Sequence, residues 1–239
     1  MDIAVEISHV CRTFPNGTEA LKDVSFSIRK GEFAVIAGSN GSGKSVLMSL
    51  IAGLDEASSG SITLHGCTAG LVFQDADAQI LGETPAEDVA FGAKNCGLRK
   101  EALATRVEAS LARTGLLEKK DFPAHMMSGG EKRRLAVAGI LAMERSLLIF
   151  DEPFANLDWP GVRQVCAVLK QLKEEGRTVI VLTHELEKVL GLADRFIVLD
   201  KGRIRFDGNP QDGLLQPLET WSIRNPRTSY DELGDMLWL

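Results

Sequence analysis

The sequence has no hydrophobic run long enough to cross a membrane. Its longest apolar stretch, residues 135–143, has nine residues, whereas a membrane-spanning helix needs about 20. The N-terminus has neither the basic segment nor the apolar segment of an export signal. We therefore expect no direct membrane span, so that any membrane attachment comes through a protein partner.

Cysteine pairs and excess basic charge are also missing. The four cysteines of the 239 residues form no C-x-x-C pair, which indicates the reduced thiols of a cytosolic protein rather than a disulfide framework. The net charge is −6, whereas nucleic-acid binding usually needs a basic face, so we expect no nucleic-acid partner. With 44% hydrophobic and 25% charged residues, the composition is typical of a globular domain with a full core.

A glycine-rich stretch near the N-terminus carries the clearest motif. The apolar residues 33–37 predict a strand buried on both faces, and apolar residues at helical spacing follow until Gly53. The loop between them matches G-x-x-x-x-G-K-[ST] in full and consists of Gly38, Ser39, Asn40, Gly41, Ser42, Gly43, Lys44 and Ser45. Its amides and the helix N-terminus are suited to phosphate oxygens. Lys44 is predicted to reach the β- and γ-phosphates, and Ser45 to ligate Mg²⁺.

Strands and helices alternate along the chain, which predicts an α/β fold with a mainly parallel sheet. Residues 3–7 and 24–28 alternate roughly as half-buried strands do. The predicted fold also includes an antiparallel β subdomain. Residues 85–118 are predicted to be mainly helical, with breaks near Gly92, Gly97 and Gly115. The segment of about 76–144 interrupts the alternation and is interpreted as an inserted helical subdomain.

The predicted ATPase domain covers residues 1–217 and leaves a short C-terminal tail, residues 218–239. This tail contains Trp221, Tyr230 and Trp238. We expect the tail to pack back on the core.

An acidic pair ends a second apolar strand. Residues 147–150 are all apolar, and Asp151 and Glu152 follow at once. In enzymes with a phosphate-binding loop, an aspartate at such a strand end holds Mg²⁺, and an adjacent glutamate can deprotonate the attacking water. We therefore predict Asp151 as a metal-binding residue and Glu152 as the catalytic base.

Several further motifs, in a fixed order, resemble those of the ATP-binding cassette (ABC) ATPases, a class of P-loop NTPases. Residues 127–131, Met-Ser-Gly-Gly-Glu, are similar to the signature motif L-S-G-G-Q/E. The resemblance covers about residues 3–215. It assigns Phe14 to adenine stacking, Gln74 to the Q-loop, residues 155–158 to the D-loop and His184 to the switch position.

The resemblance implies an ATP-hydrolysing enzyme with ATP and Mg²⁺ as cofactors, in which two cassettes meet head to tail. Catalytic residues would be Lys44, Glu152 and His184, and metal-binding residues Ser45, Gln74 and Asp151. The remaining ATP-binding residues would be Phe14, the loop residues 38–46 including Val46, Gln74, and Ser128, Gly129, Gly130, Glu131 and Asp158. Val46 departs from the family, which usually has a second hydroxyl there.

Three stretches are similar to the energy-coupling factor (ECF) ATPases: residues 72–79, 86–92 and 135–143. Ala76 departs from the proline usual in that family. The resemblance implies the motor subunit of an importer of a vitamin or a transition-metal ion, peripheral at the cytoplasmic face of the membrane. Its partners would be a second ATPase subunit, identical or different, a transmembrane coupling protein and a substrate-binding membrane component.

Two alternatives remain open at this point. One is the ATPase of a conventional ABC importer or exporter, and the other is a soluble cassette ATPase of chromosome maintenance or translation. The absence of sustained heptads between Lys44 and Ser128, and of a second cassette in the sequence, favours transport.

Overall fold

The computed structural model describes residues 2–228. The strands in this part are β1 (Ile3–Thr13), β2 (Glu19–Arg29), β3 (Phe33–Ala37), β4 (Ser59–Leu64), β5 (Ala69–Val72), β6 (Leu147–Asp151), β7 (Thr178–Thr183), β8 (Arg195–Asp200) and β9 (Arg203–Gly208). The α-helices are α1 (Lys44–Ile51), α2 (Pro85–Asn95), α3 (Lys100–Arg113), α4 (Gly129–Ala142), α5 (Trp159–Glu174) and α6 (Pro210–Gly213). Within residues 2–228, no helix combines the length and hydropathy that a bilayer crossing requires.

A six-stranded sheet with the order β5-β6-β7-β3-β8-β9 forms the centre of the fold. All neighbouring pairs are parallel except the β8–β9 hairpin. Every residue of β3, β6 and β7 is buried, as continuous apolar runs require when helices cover both faces. The α/β fold with a mainly parallel sheet is confirmed, and the carboxyl ends of these three strands meet at one edge.

A second, antiparallel sheet has the order β2-β1-β4. Its strands β1 and β2 are much longer than the predicted 3–7 and 24–28, so those boundaries were wrong. The pairing of β1 with β2 shifts register between Ile7 and Val10, and His9 between them has a positive φ of 50°. Such a bulge interrupts the apolar–polar alternation, which hid the second half of the strand.

Helices α2, α3 and α4 enclose an apolar cluster of their own, which includes Val89, Val107, Leu111 and Leu135. The predicted break at Gly92 was wrong, because α2 runs through this residue. A Cβ at Gly92 would lie 2.8 Å from Cγ of Met143, so glycine there permits close packing instead of ending the helix. Residues 76–84 contain no helix; α2 begins only after Thr84, whose side chain caps it.

The first residues of the predicted tail pack on the central sheet. Leu218 and Ile223 are both 1% exposed and belong to its apolar core. Tyr230 and Trp238 lie outside the described residues. The division into a domain and a tail at residue 217 stays a prediction.

Candidate active site

The glycine-rich loop connects the carboxyl end of β3 with the first turn of α1, as predicted. Gly43 precedes α1 with a φ of 106°, a conformation that side chains disfavour. A Cβ on Gly43 would also lie 2.7 Å from the carbonyl oxygen of Ala20. No side chain caps this helix, so the amides of its first turn are available to an anion.

Lys44 points back into the loop that it follows. Its Nζ donates hydrogen bonds to the carbonyl oxygens of Gly38 at 2.6 Å and Ser39 at 3.2 Å. The side chain is 6% exposed, and its Nζ lies 3.6 Å from Oε1 of Glu152, which is equally buried. The loop therefore holds a buried cation whose nearest carboxylate is the predicted catalytic base.

Asp151 lies beside the first turn of α1. The Ser45 hydroxyl donates to its Oδ2 at 3.2 Å, whereas its Oδ1 is buried and has no hydrogen-bond partner within residues 2–228. Burial raises the pKa of the Asp151 carboxyl above its ordinary value, the Ser45 hydroxyl opposes this shift, and the charge of Glu152 adds to it. A cation at Oδ1 would compensate the buried charge.

Glu152 is held in a strained backbone conformation, with a φ of 43°. For a non-glycine residue such a conformation needs support from its surroundings. The Thr183 hydroxyl donates to Oε2 at 3.0 Å, and His184 Nδ1 lies 2.9 Å from Oε1. Both oxygens of the carboxylate are thus oriented by the end of β7.

A cleft of about 320 Å³ opens above these groups. Nine predicted residues line it: Ser39, Asn40, Gly41, Gly43, Lys44, Ser45, Val46, Gln74 and Glu152. Thr18, Glu19 and Ala20 also line the cleft and were not predicted, because nothing in their local sequence places the turn between β1 and β2 over the loop. Ser42 lies in the loop, where it is 2% exposed.

The signature residues lie at the start of α4 and do not line this cleft. Ser128 caps the helix: its hydroxyl accepts from the amide of Glu131, and its own amide donates to the Glu131 carboxylate. Gly129 lines a second cleft of about 290 Å³, together with Gln74 and Asn156. Gly130 packs near Leu157, and Asp158 caps α5 by accepting from the amide of Gly161. One chain therefore does not bring its signature residues to its own Lys44.

Arg133 is a residue that the sequence analysis missed. It lies on α4, is 3% exposed, and donates from Nη1 to the carbonyl oxygen of Phe73 at 3.0 Å. Its Nη2 donates to the carbonyl oxygen of Gln74 at 2.5 Å and lies 3.4 Å from that of Ala155. Burial lowers the Arg133 pKa, and the nearby carboxylates oppose this. The available signal was an arginine on the apolar face of α4, three residues before Ala136.

A P-loop, an Asp-Glu pair at the end of another parallel strand of the same sheet, and a helical insertion that ends in a glycine-led helix are together typical of the ATP-binding cassette. A family profile described as "ABC transporter" matches residues 21–155. The chain belongs to this family, and it is an ATP-hydrolysing cassette.

Two known relatives indicate which type of ABC ATPase this chain is similar to. The "Energy-coupling factor transporter ATP-binding protein EcfA1" of Caldanaerobacter subterraneus subsp. tengcongensis is 44% identical over 80% of this chain and 74% of its own. The corresponding EcfA protein of Carboxydothermus hydrogenoformans is 39% identical over 91% of this chain and 89% of its own. These similarities place the chain with the ECF-type ATPases.

Two solved structures of ATP-binding cassettes are similar to this chain. The cbiO1 protein of Clostridium perfringens, described as part of the ABC transporter complex cbiONQ, has a TM-score of 0.82 and 34% identity, over 95% of this chain and 97% of that one. The cassette MJ0796, solved as a dimer bound to ADP and Pi, has a TM-score of 0.79 and 27% identity, over 86% of this chain and 98% of that one.

The raised pKa of Asp151 predicts a stability cost in the nucleotide-free chain. An acid with a raised pKa in the folded state destabilises the fold at any pH where it is ionised, and the cost disappears below its unfolded pKa of about 4. Asp151→Asn should therefore raise the melting temperature of the nucleotide-free protein near neutral pH, by an amount that shrinks towards pH 4. Differential scanning fluorimetry over this pH range measures both effects.

Asp158→Asn is the matched control, because it removes the same charge from a helix cap that asparagine serves equally well. It should change the melting temperature little. An Asp151→Asn protein that melts lower than the parent at neutral pH would contradict the cost assigned to this carboxylate.

Proposed function

We propose that this cassette is the ATP-hydrolysing motor subunit of an ECF-type importer that takes up a vitamin or a transition-metal ion. The observation that carries the catalytic part is that Lys44 and Glu152 line one cleft at the carboxyl edge of the sheet, with buried Asp151 hydrogen-bonded to Ser45 in the wall of that cleft. The transport part is supported by the names of the relatives. A conventional ABC importer or exporter, or a soluble cassette ATPase, is less well supported by these relatives.

In hydrolysis, Glu152 accepts a proton from the water that attacks the γ-phosphate. Its Oε1 already accepts from His184, and its Oε2 from Thr183, so the carboxylate is oriented before the substrate binds. Lys44 stabilises the charge that develops on the phosphate oxygens, which is the larger part of catalysis in phosphoryl transfer. In the nucleotide-free chain Glu152 neutralises Lys44, and the γ-phosphate would take over that role.

The residues present fit a Mg²⁺ ion. Mg²⁺ prefers oxygen ligands and usually binds through one or two protein groups, with phosphates and water completing the shell. Asp151 Oδ1 is a buried oxygen without a partner within residues 2–228, and the Ser45 hydroxyl lies beside the same carboxylate. This part of the chain has no group of three His, Cys, Asp or Glu side chains placed to hold a metal unaided. Bound there with Gln74 nearby, the ion would neutralise charge on the β- and γ-phosphates.

The second half of the nucleotide site would come from another cassette. Ser128, Gly129 and Gly130 form a helix N-terminus that does not line the chain's own P-loop cleft, and helix N-termini favour anions. ATP held between the P-loop of one subunit and the signature residues of its partner would stabilise the closed dimer, and hydrolysis would release it. Asp158 would contribute from the D-loop. The partner subunit is either a second copy or a related cassette.

Glu152→Gln should bind ATP normally and hydrolyse it about 10²–10⁴-fold more slowly, because glutamine cannot accept the proton. Calorimetry measures the binding, and phosphate release measures the turnover. Parental turnover by Glu152→Gln would contradict the role of Glu152 as the base.

Lys44→Ala should lose most of the affinity for MgATP, and the surface variant Glu174→Gln should behave as the parent.

Ser128→Arg should block the ATP-dependent dimer that Glu152→Gln accumulates, while each monomer still binds ATP. The arginine would clash with the partner subunit and its phosphates, and gel filtration with light scattering would show a monomer. Because the change also removes a helix cap, Thr84→Arg is the control: Thr84 caps α2 in the same way and is not among the residues assigned to the nucleotide site. A normal dimer with Ser128→Arg would contradict the two-sided site.

The membrane coupling protein is expected to dock just after Gln74. Asp75 and Asp77 line the second cleft, and Asp77 pairs with Lys132 at 2.5 Å. Beside it lies a groove of about 180 Å³ lined by Gln79, Leu81, Phe91 and other residues. Helices with apolar and arginine side chains suit this surface, because a partly buried Arg–carboxylate pair is directional, and removing one partner costs about 3–5 kcal/mol.

The double change Asp75→Ala with Asp77→Ala should abolish association with the coupling protein while the basal ATPase is largely kept. The measurement is pull-down from detergent-solubilised membranes with identification of the membrane protein, beside a separate ATPase assay. The control is Glu101→Ala with Glu118→Ala, which removes two exposed acids from the helical subdomain. Retained association would place docking elsewhere and weaken the ECF interpretation.

A further inference from the structure

Phe14 belongs to the turn that borders the nucleotide cleft. Its amide donates to the carbonyl oxygen of Thr18 at 2.9 Å, and its carbonyl accepts from the amide of Gly17 at the same distance. Thr18 lines the cleft, so the backbone of the turn ties Phe14 to the cleft wall. Its half-buried ring belongs to none of the apolar core clusters formed within residues 2–228.

Arg12 covers one face of the Phe14 ring. Its Cζ lies 5.0 Å from the ring centroid, a distance at which a guanidinium is attracted to an aromatic face. Arg12 Nη2 also donates to Asp55 Oδ1 at 2.8 Å, and both side chains are largely shielded from solvent. Asp55 Oδ1 accepts from the amide of Glu56 at 2.8 Å as well, so the carboxylate that holds the arginine is itself fixed.

This arrangement joins the turn to the helix that follows the P-loop. Asp55 lies in the segment just after α1, the helix that begins at Lys44. A planar guanidinium held at one end by a carboxylate keeps the ring beneath it in one orientation. A ring that is already fixed loses less freedom when a flat ligand stacks on its opposite face than a ring that must first be ordered.

We propose that Arg12, held by Asp55, is a positioning residue that fixes the Phe14 ring so that the adenine of ATP stacks on its opposite face. This inference rests on the proposed function, because it needs ATP in the cleft. Neither Arg12 nor Phe14 is among the residues that line the cleft, but Phe14 is hydrogen-bonded to Thr18, which is. Arg12 would therefore act through Phe14 and its turn rather than on the phosphates.

The test compares the affinities for MgATP and for inorganic tripolyphosphate with Mg²⁺, a probe that lacks the base, by calorimetry. Arg12→Gln should weaken MgATP binding by about threefold to tenfold and leave tripolyphosphate binding unchanged, as expected for a single stacked cation. Phe14→Ala should show the same pattern with a larger loss. In the Phe14→Ala background, Arg12→Gln should have no additional effect, because coupled residues are not additive.

Two further variants complete the design. Arg203→Gln removes a positive charge from an exposed position on β9 and should leave both affinities unchanged. Asp55→Asn keeps the charge of Arg12 while weakening its anchor, and should give a smaller loss for MgATP alone. This variant replaces Arg12→Gln if the latter does not fold.

The outcomes separate the inference from the function on which it rests. Equal losses for ATP and tripolyphosphate, additive losses with Phe14→Ala, or parental affinity of both Arg12→Gln and Asp55→Asn would overturn the role of Arg12. A parent protein that binds neither probe would overturn the proposed nucleotide site itself.

Discussion

The buried ammonium of Lys44 is the constraint on which the rest of the site depends. A cation taken out of water needs compensation nearby, and the chain supplies it from two directions. The P-loop folds back so that the carbonyl oxygens of Gly38 and Ser39 accept hydrogen bonds from the Lys44 ammonium. The same loop needs a glycine at position 43, because the residue before α1 has a φ of 106°. Glu152 supplies the negative charge, and its strained backbone is tolerated because it keeps the carboxylate at that position.

Parts of the site with a local pattern could be predicted from the sequence, and parts made by tertiary contacts could not. The P-loop and the pair Asp151-Glu152 each follow an apolar strand, so their positions at one sheet edge follow from parallel topology alone. Thr183 and Arg133 act through side-chain contacts between segments that are distant in the chain. The turn residue Thr18 reaches the cleft only because the antiparallel sheet packs over the P-loop.

For the fold as well, elements with a local sequence pattern could be predicted, and features that depend on tertiary contacts could not. Continuous apolar runs predicted the buried strands β3 and β6 within one residue, because burial on both faces leaves an unambiguous pattern. The bulge at His9 disturbed the pattern of β1, and Gly92 was misjudged because its reason lies in the approach of Met143 to α2. Arg133 is an example of a contact that no local pattern reveals: its buried guanidinium joins α4 to the backbone of Phe73 and Gln74 and to that of Ala155.

The cap at Ser128 has a consequence for the direction of hydrogen bonding. A hydroxyl has one proton and two lone pairs, and Ser128 uses a lone pair to accept from the amide of Glu131. The cap therefore does not use the hydroxyl proton. The Ser128 hydroxyl thus accepts a hydrogen bond from α4 and can donate one to another group. An anionic oxygen that reaches this helix N-terminus would therefore meet a hydroxyl proton that the cap does not use.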